Sequence, residues 1–306
     1  MTLRVTFLGT SGAVPTAQRN PSAIHVNREG EELLFDCGEG TQRQMMRFRT
    51  GFSISAIFLT HVHGDHVLGL PGLLQTLDFN DRAEPLAIHT PRGTRHTVED
   101  LVGALDTRLG YPVEVREVAP GEVVHKREEY EIRAFRTEHR TRSVGYALVE
   151  ADRKGRFDRE RAEALGVPVG PKFSALHSGE SVELDDGTVI DPEQVVGPPR
   201  SGRKVVYTGD TRPSEAVREV ADRADLLIHD ATFGDDWAGR ARETGHATAR
   251  EAGELAAGAG VKRLALTHVS SRYAGDASRL AREAREECEG AFVAEDGMEI
   301  EVSFPD

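Results

Sequence analysis

Three histidines and an aspartate fall within six positions of the stretch FLTHVHGDHVLGL, residues 58–70. His61 and His63 sit two apart on an extended segment, so their rings point the same way and can grip one ion. Asp65 and His66 follow a bend that Gly64 permits, at the start of the next helix, and can reach a second ion beside the first. Nitrogen and oxygen donors without thiolate suit zinc, with manganese or iron as alternatives. Scattered surface histidines, or core histidines satisfied by hydrogen bonds, have no need of this spacing at a strand-to-helix junction.

One motif cannot fill two coordination shells. His139 in TEHRTRSVGY, Asp210 in VVYTGDTRP and His268 in LALTHVSSRY each stand just past an apolar strand and are the further ligand candidates. Cys37, beside Asp36 in LLFDCGEG, is read as structural. Two divalent ions roughly 3.5–4 Å apart would neutralise a phosphodiester and lower the pKa of bound water toward about 7.

Such residues need a frame. Strands are expected at 3–9, 22–27, 32–36, 54–60, 86–89, 113–118, 130–136, 144–150, 203–208, 225–229, 263–267 and 291–302. Helical periodicity marks 39–49, 66–78, 94–105, 214–222, 247–258 and 276–288. This order implies an α/β chain of two sheets with helices outside them, four layers in all. Its chemistry belongs at the strand ends. Residues 151–200 break the pattern. ADRKGRFDRERAEALGVPVGPKF is rich in charge, SVELDDGTVI reads as a hairpin with Asp-Gly at its bend, and GPPRSGR reads as a linker. They are expected to form an inserted, protruding arm on a core made of residues 1–150 and 201–306.

The 306 residues suffice for a large core, and no apolar run approaches the ~20 residues of a membrane span. MTLRVTFLGT reads as a strand and lacks the basic start and cleavage site of a signal peptide. Cys37 and Cys288 lie too far apart in sequence to suggest a disulfide framework, so a reducing cytoplasm is expected. The net charge of −13 argues for a solvating surface, as in high salt, and mildly against nucleic-acid binding.

Together THVHGDH, FDCGEGTQRQ, YTGDTRP, HDATF, GHAT and LTHVSSRY resemble the metallo-β-lactamase superfamily and, within it, the ribonuclease Z family of tRNA 3′-processing endonucleases. The resemblance implies a four-layer αββα sandwich, two zinc ions per subunit, and precursor tRNA as substrate. It assigns His61, His63 and His139 to one ion, Asp65, His66 and His268 to the other, and Asp210 to both. Asp36 would orient ligands from behind. Asp65 would orient the nucleophile, and His246 would protonate the leaving oxygen, held by Asp230. Asp230 stands where the family carries glutamate, one methylene longer, and Ala17 stands where the family's loop carries lysine. Arg19 and Asn20 of that loop would face substrate. Arg153, Lys154, Arg156 and Lys172 of the arm would hold the tRNA backbone, usually across a homodimer. Cleavage would leave a 3′-hydroxyl on the tRNA and a 5′-phosphate on the trailer. The rival readings are another hydrolase of the superfamily (phosphodiesterase, lactonase or thioesterase) and a metal-stabilised RNA-binding protein without catalysis.

Overall fold

The computed structural model describes residues 2–104 and 108–305. Among them the chain divides into two compact units, Met1–Val149 with Lys204–Ser303, and Glu150–Arg203 with Phe304–Asp306.

In the first unit several strands are apolar on both faces. Leu3–Gly9 buries all but one residue and Leu226–Asp230 buries all five, so neither can lie on an open surface. Two seven-stranded sheets result among the described residues. One runs Glu299–Glu301, Leu3–Gly9, Ala23–Arg28, Glu31–Phe35, Ile54–Phe58, Leu86–Pro91, Val113–Val118. The other runs Ala291–Val293, Leu264–Thr267, Leu226–Asp230, Lys204–Tyr207, Val144–Glu150, Tyr130–Arg136, Val123–Lys126. Their shared face packs Phe7, Phe35, Phe58, Tyr146 and Tyr207 into one core. Helix Leu70–Phe79 covers the outside of the first sheet, and helices Ala249–Gly258 and Ser278–Arg285 cover the second. This is the αββα arrangement.

Two local expectations are corrected, and one strand is added. The helix read at 66–78 is two, Gly64–Val67 and Leu70–Phe79. Gly69 gives its N–H to the Cys37 carbonyl at 2.9 Å, and a Cβ there would lie 2.1 Å from the Gly38 oxygen. The strand read at 291–302 turns at Gly297 (φ 86°), so that Ala291–Val293 and Glu299–Glu301 join different sheets. Strand Val123–Lys126 went unread because its half-exposed VVHK carries no alternation. Of the helix read at 94–105, Arg95–Val102 is helical, and residue 105 lies outside the described residues. No helix of the described residues is long and apolar enough to cross a membrane.

The second unit has its own core of Ala162, Val167, Leu176, Val182, Ile190 and Val195. Helix Arg159–Ala164 is capped by Asp158, which accepts from Arg161 N–H. The Asp186-Gly187 bend joins Val182–Glu183 to Val189–Ile190, with Gly187 at φ 86°. A buried bidentate pair, Glu150 with Arg203 at 2.7 Å, ties the two ends of the insertion together. Phe304 and Pro305, expected with the core, group with this unit, where the Arg153 and Arg203 guanidiniums lie 3.8 Å and 4.0 Å from the Phe304 ring.

Candidate active site

The charged residues read as ligands follow buried strands. His61 comes after Ile54–Phe58, His139 after Tyr130–Arg136, Asp210 after Lys204–Tyr207 and His268 after Leu264–Thr267. Turning a side chain out of a strand end is costly where the backbone must enter the left-handed region. His268 (φ 58°) and Asp36 (φ 56°) both do so, at about 1–2 kcal/mol each for a non-glycine residue. Gly209 (φ 58°) precedes Asp210, and a Cβ there would meet Thr60 Oγ1 at 2.5 Å.

The rings are oriented from outside. His66 Nδ1–H donates to Asp36 Oδ2 at 2.8 Å, and His139 Nδ1–H to the Gly245 carbonyl at 2.8 Å. His61 Nδ1 lies 3.0 Å from Thr60 Oγ1, whose proton goes to Asp36 Oδ2. His268 Nδ1 lies 2.8 Å from Thr232 Oγ1, whose proton goes to Asp230 Oδ1. Each Nδ1 is therefore a donor, and each Nε2 presents a lone pair inward. Asp36, wholly buried, also accepts from Thr60 N–H and the Tyr207 hydroxyl, both at 2.7 Å.

The four Nε2 atoms converge on Asp210. Its Oδ2 faces His61 (3.5 Å) and His139 (3.8 Å), and its Oδ1 faces His66 and His268, both at 3.3 Å. His63 adds Nδ1, 2.9 Å from His61 Nε2. Asp65 adds Oδ2, 3.2 Å from His268 Nε2 and accepting from Ala13 N–H at 2.8 Å. Two donor sets thus share one carboxylate: His61, His63, His139 with Asp210, and Asp65, His66, His268 with its other oxygen. Lone pairs aimed at a buried carboxylate repel it unless a cation stands between. His66 Nε2 and Asp210 Oδ1 are both buried without a hydrogen-bond partner. Burial opposes charge on His66, yet Asp210 and Asp36 push its imidazole well above the ordinary range. Burial likewise opposes charge on Asp210, yet His268, His66 and His61 hold its carboxyl well below the usual range. The donor set fits divalent cations.

His246 stands beside this cluster, outside both sets but grouped with Asp210, Asp230 and His268, and its Nδ1 is taken by Asp230. It follows Gly245, the left-handed end of helix Ala238–Thr244, and precedes Thr248, which caps helix Ala249–Gly258 in a box with Glu251. Arg212 pins the His246 carbonyl at 2.5 Å and the Glu251 carboxylate with its other nitrogen. The shorter Asp230 still reaches His246 Nδ1, at 2.7 Å, and its remaining capacity is filled by Thr211 N–H, Thr232 N–H and the Thr232 hydroxyl. Burial works against a charged His246, but Asp230 outweighs it and raises the imidazole to about 9. His246, His63, Asp65, Asp210 and His268 line an open cleft of about 480 Å³, with Glu39 and Leu68 on its rim.

Of the other residues expected at substrate, Arg19, Asn20, Arg153 and Lys172 have partners within the protein. Arg19 is buried and gives Nη1 to Thr10 Oγ1 (2.7 Å) and the Ala294 carbonyl (2.5 Å), so it braces the fold. Asn20 ties its side chain to the Glu39 carbonyl at 2.6 Å. Arg153 is spent on the Phe304 ring and the Pro305 carbonyl, and Lys172 on the Glu183 carbonyl. Lys154 and Arg156 are exposed. Sequence reasoning missed Thr60, Tyr207 and the Ala13 N–H, whose roles have no signature beyond standing near the motifs.

Two helix-flanked sheets with a His/Asp cluster at the strand ends define a metallo-β-lactamase fold, and a B. subtilis protein of that fold, YhfI, superposes with TM-score 0.70 at 20% identity over 98% of this chain and 99% of that one. Residues 193–269 match a family described as beta-lactamase superfamily domain, and residues 3–155 one described as anti-Pycsar protein Apyc1. Ribonuclease Z of Halobacterium salinarum is 64% identical over all of this chain and 99% of its own length. The crystal structure of human tRNase Z, short form, superposes with TM-score 0.72 at 30% identity, covering 98% of this chain and 100% of that one. The chain belongs to the ribonuclease Z family and is an endoribonuclease.

Proposed function

We propose that this endoribonuclease removes the 3′ trailer from precursor tRNA, leaving a 3′-hydroxyl on the tRNA and a 5′-phosphate on the trailer. The observation that carries the reading is the His246–Asp230 pair set at 2.7 Å beside a donor cluster that calls for cations. The substrate comes from the relatives' names, ribonuclease Z and tRNase Z.

Two divalent ions, zinc in this reading, would be held by His61, His63, His139 and Asp210 and by Asp65, His66, His268 and Asp210, and would supply Lewis acidity toward the phosphate and a more acidic water. Asp65 turns Oδ2 toward the histidines and leaves its other oxygen to orient the attacking water. As the water forms the new P–O bond and the P–O3′ bond breaks, protonated His246 gives its Nε2 proton to O3′, which becomes the tRNA hydroxyl, and the proton the water loses passes by way of the Asp65 carboxylate to solvent. Asp230 keeps the ring charged and aimed, because Nδ1–H is occupied. The exposed Lys154 and Arg156 of the inserted unit hold the RNA backbone, and two copies associate as a homodimer. Two buried free thiols, Cys37 and Cys288, suit a reducing cytoplasm.

Incubation with an end-labelled, 3′-extended tRNA tests the proposal. A single cut at the trailer junction with the stated ends is expected. Hydrolysis of a lactone or thioester without RNA cleavage would instead favour the rival hydrolase reading.

A further inference from the structure

Trp237 is the single tryptophan of the chain, and 40% of it is exposed. The turn that carries it is nonetheless fastened from several directions. Gly234 N–H donates to the Tyr273 hydroxyl and Asp235 N–H to Glu283 Oε2, each at 2.9 Å. Arg250 holds the Asp235 carboxylate at 2.5 Å, and Arg279 holds that of Asp236 at 2.9 Å. A large aromatic presented on a braced turn gives up burial that folding would otherwise reward.

The ring is also part of a line that ends at the cleft. The Arg272 guanidinium lies 4.7 Å over the indole and 5.8 Å over the Phe233 ring, and Phe233 meets His246 edge-on at 6.3 Å. Arg272 is exposed and, among the described residues, pairs with no carboxylate, whereas its neighbours Arg250 and Arg279 are both paired. It spends Nη1 on Ser270 Oγ at 3.1 Å. No carboxylate of the described residues neutralises the Arg272 guanidinium, so its charge stays available to an anion from outside.

We propose that Trp237 and Arg272 form a stacking subsite for an unpaired RNA base a few nucleotides from the scissile phosphate. The base lies on the open face of the indole, and the guanidinium behind it takes the flanking phosphate. Aromatic rings accept any base, since every base has a π-face, and arginine adds charge without requiring sequence. Three successive contacts of 6.3, 5.8 and 4.7 Å link His246 to the indole, a span that a single strand covers in a few nucleotides. The inference rests on the precursor-cleaving reading above.

The test uses the intact protein and 3′-extended tRNA carrying single abasic residues at positions flanking the cut. Trp237→Ala should raise KM by about 5- to 150-fold, the range of one lost base–aromatic stack, and Trp237→Phe should keep most of the affinity. On the precursor abasic at the contacted position, the Trp237→Ala penalty should vanish. Indole emission, unambiguous with one tryptophan, should change on adding the intact precursor and not the abasic one. Arg272→Ala should raise KM and flatten its salt dependence. A Trp237→Ala protein within about twofold of the parent in KM, or indole emission blind to a precursor that the parent cleaves, overturns the subsite alone. A parent protein that does not cut the precursor overturns the subsite together with the reading beneath it.

Discussion

Asp210 is the residue on which the most geometry converges. Each of its oxygens faces a different pair of histidines, so removing it should weaken both cation sites at once. Asp210→Ala is expected to lower bound divalent metal and abolish cleavage, and His66→Ala to do the same at one site. Elemental analysis finding two ions in an active Asp210→Ala protein would refute this. His246 falls in neither of the two sets that divide the Asp210 oxygens, and its Nδ1 is taken by Asp230, so His246→Ala should keep the metal and lose ~10²–10⁴-fold in rate, the usual worth of a general acid. A substrate with a very good leaving group should be far less affected. The pH sign follows from Asp230 raising His246 to about 9. The acid is protonated below that value, so the rate should fall as pH rises through about 9. Asp230→Asn removes the lifting charge, so the falling limb should move toward the unperturbed value near 6.5. An unmoved limb in a pH–rate profile would assign the titration elsewhere.

At the scale of elements, the site is a property of strand ends and the turns that follow them. Gly209 illustrates how little room these turns have. It takes φ 58°, and a Cβ would press on Thr60, the hydroxyl that links Asp36 to His61. Gly209→Ala should therefore cost about 1–3 kcal/mol from overpacking, with backbone strain added. It should lower metal affinity more than a surface change of equal destabilisation. Thermal melts paired with metal titration check this, and a variant as stable and as metal-replete as the parent would mean that the turn relaxes freely. The helix that follows His246 is secured by Thr248, Glu251 and Arg212 in one network, so the proposed acid inherits the rigidity of a capped helix.

On the scale of the whole molecule, the inserted unit is self-contained. It has its own apolar core, so trimming it partway would expose Leu176, Val182 and Ile190, whereas complete excision would not. Glu150 and Arg203 are already hydrogen-bonded to each other, so removing residues 152–201 leaves ends that a few glycines can join, at modest entropic cost. The shortened protein should melt cooperatively and hydrolyse a small chromogenic phosphodiester, yet fail to bind precursor tRNA. Full precursor processing by it would remove the insertion from the binding surface. Within the intact chain, Lys154→Ala with Arg156→Ala should weaken all tRNAs alike and lower the salt slope by roughly 1–2, the share of two phosphate contacts.

The amino-acid sequence alone determined the layers and the His and Asp donor types that meet at the strand ends. Buried strands announce themselves through apolar runs such as the Leu-Leu-Ile that opens LLIHD, and His61, His63, Asp65 and His66 stand close enough to be read as one motif. What only the tertiary structure decided is direction and employment. His139 is aimed by a carbonyl 106 residues away, and His268 meets an aspartate 203 residues away, so no local pattern records either contact. The same holds for Arg19 and Arg153, whose charge suggested a ligand outside the protein. Arg19 is consumed by Thr10 and Ala294, and Arg153 by Phe304 and Pro305. Periodicity reports which face is buried, because burial follows the regular geometry of the element. Which partner a buried polar group finds depends on where distant strand ends come to rest, and that is settled only when the sheets pack.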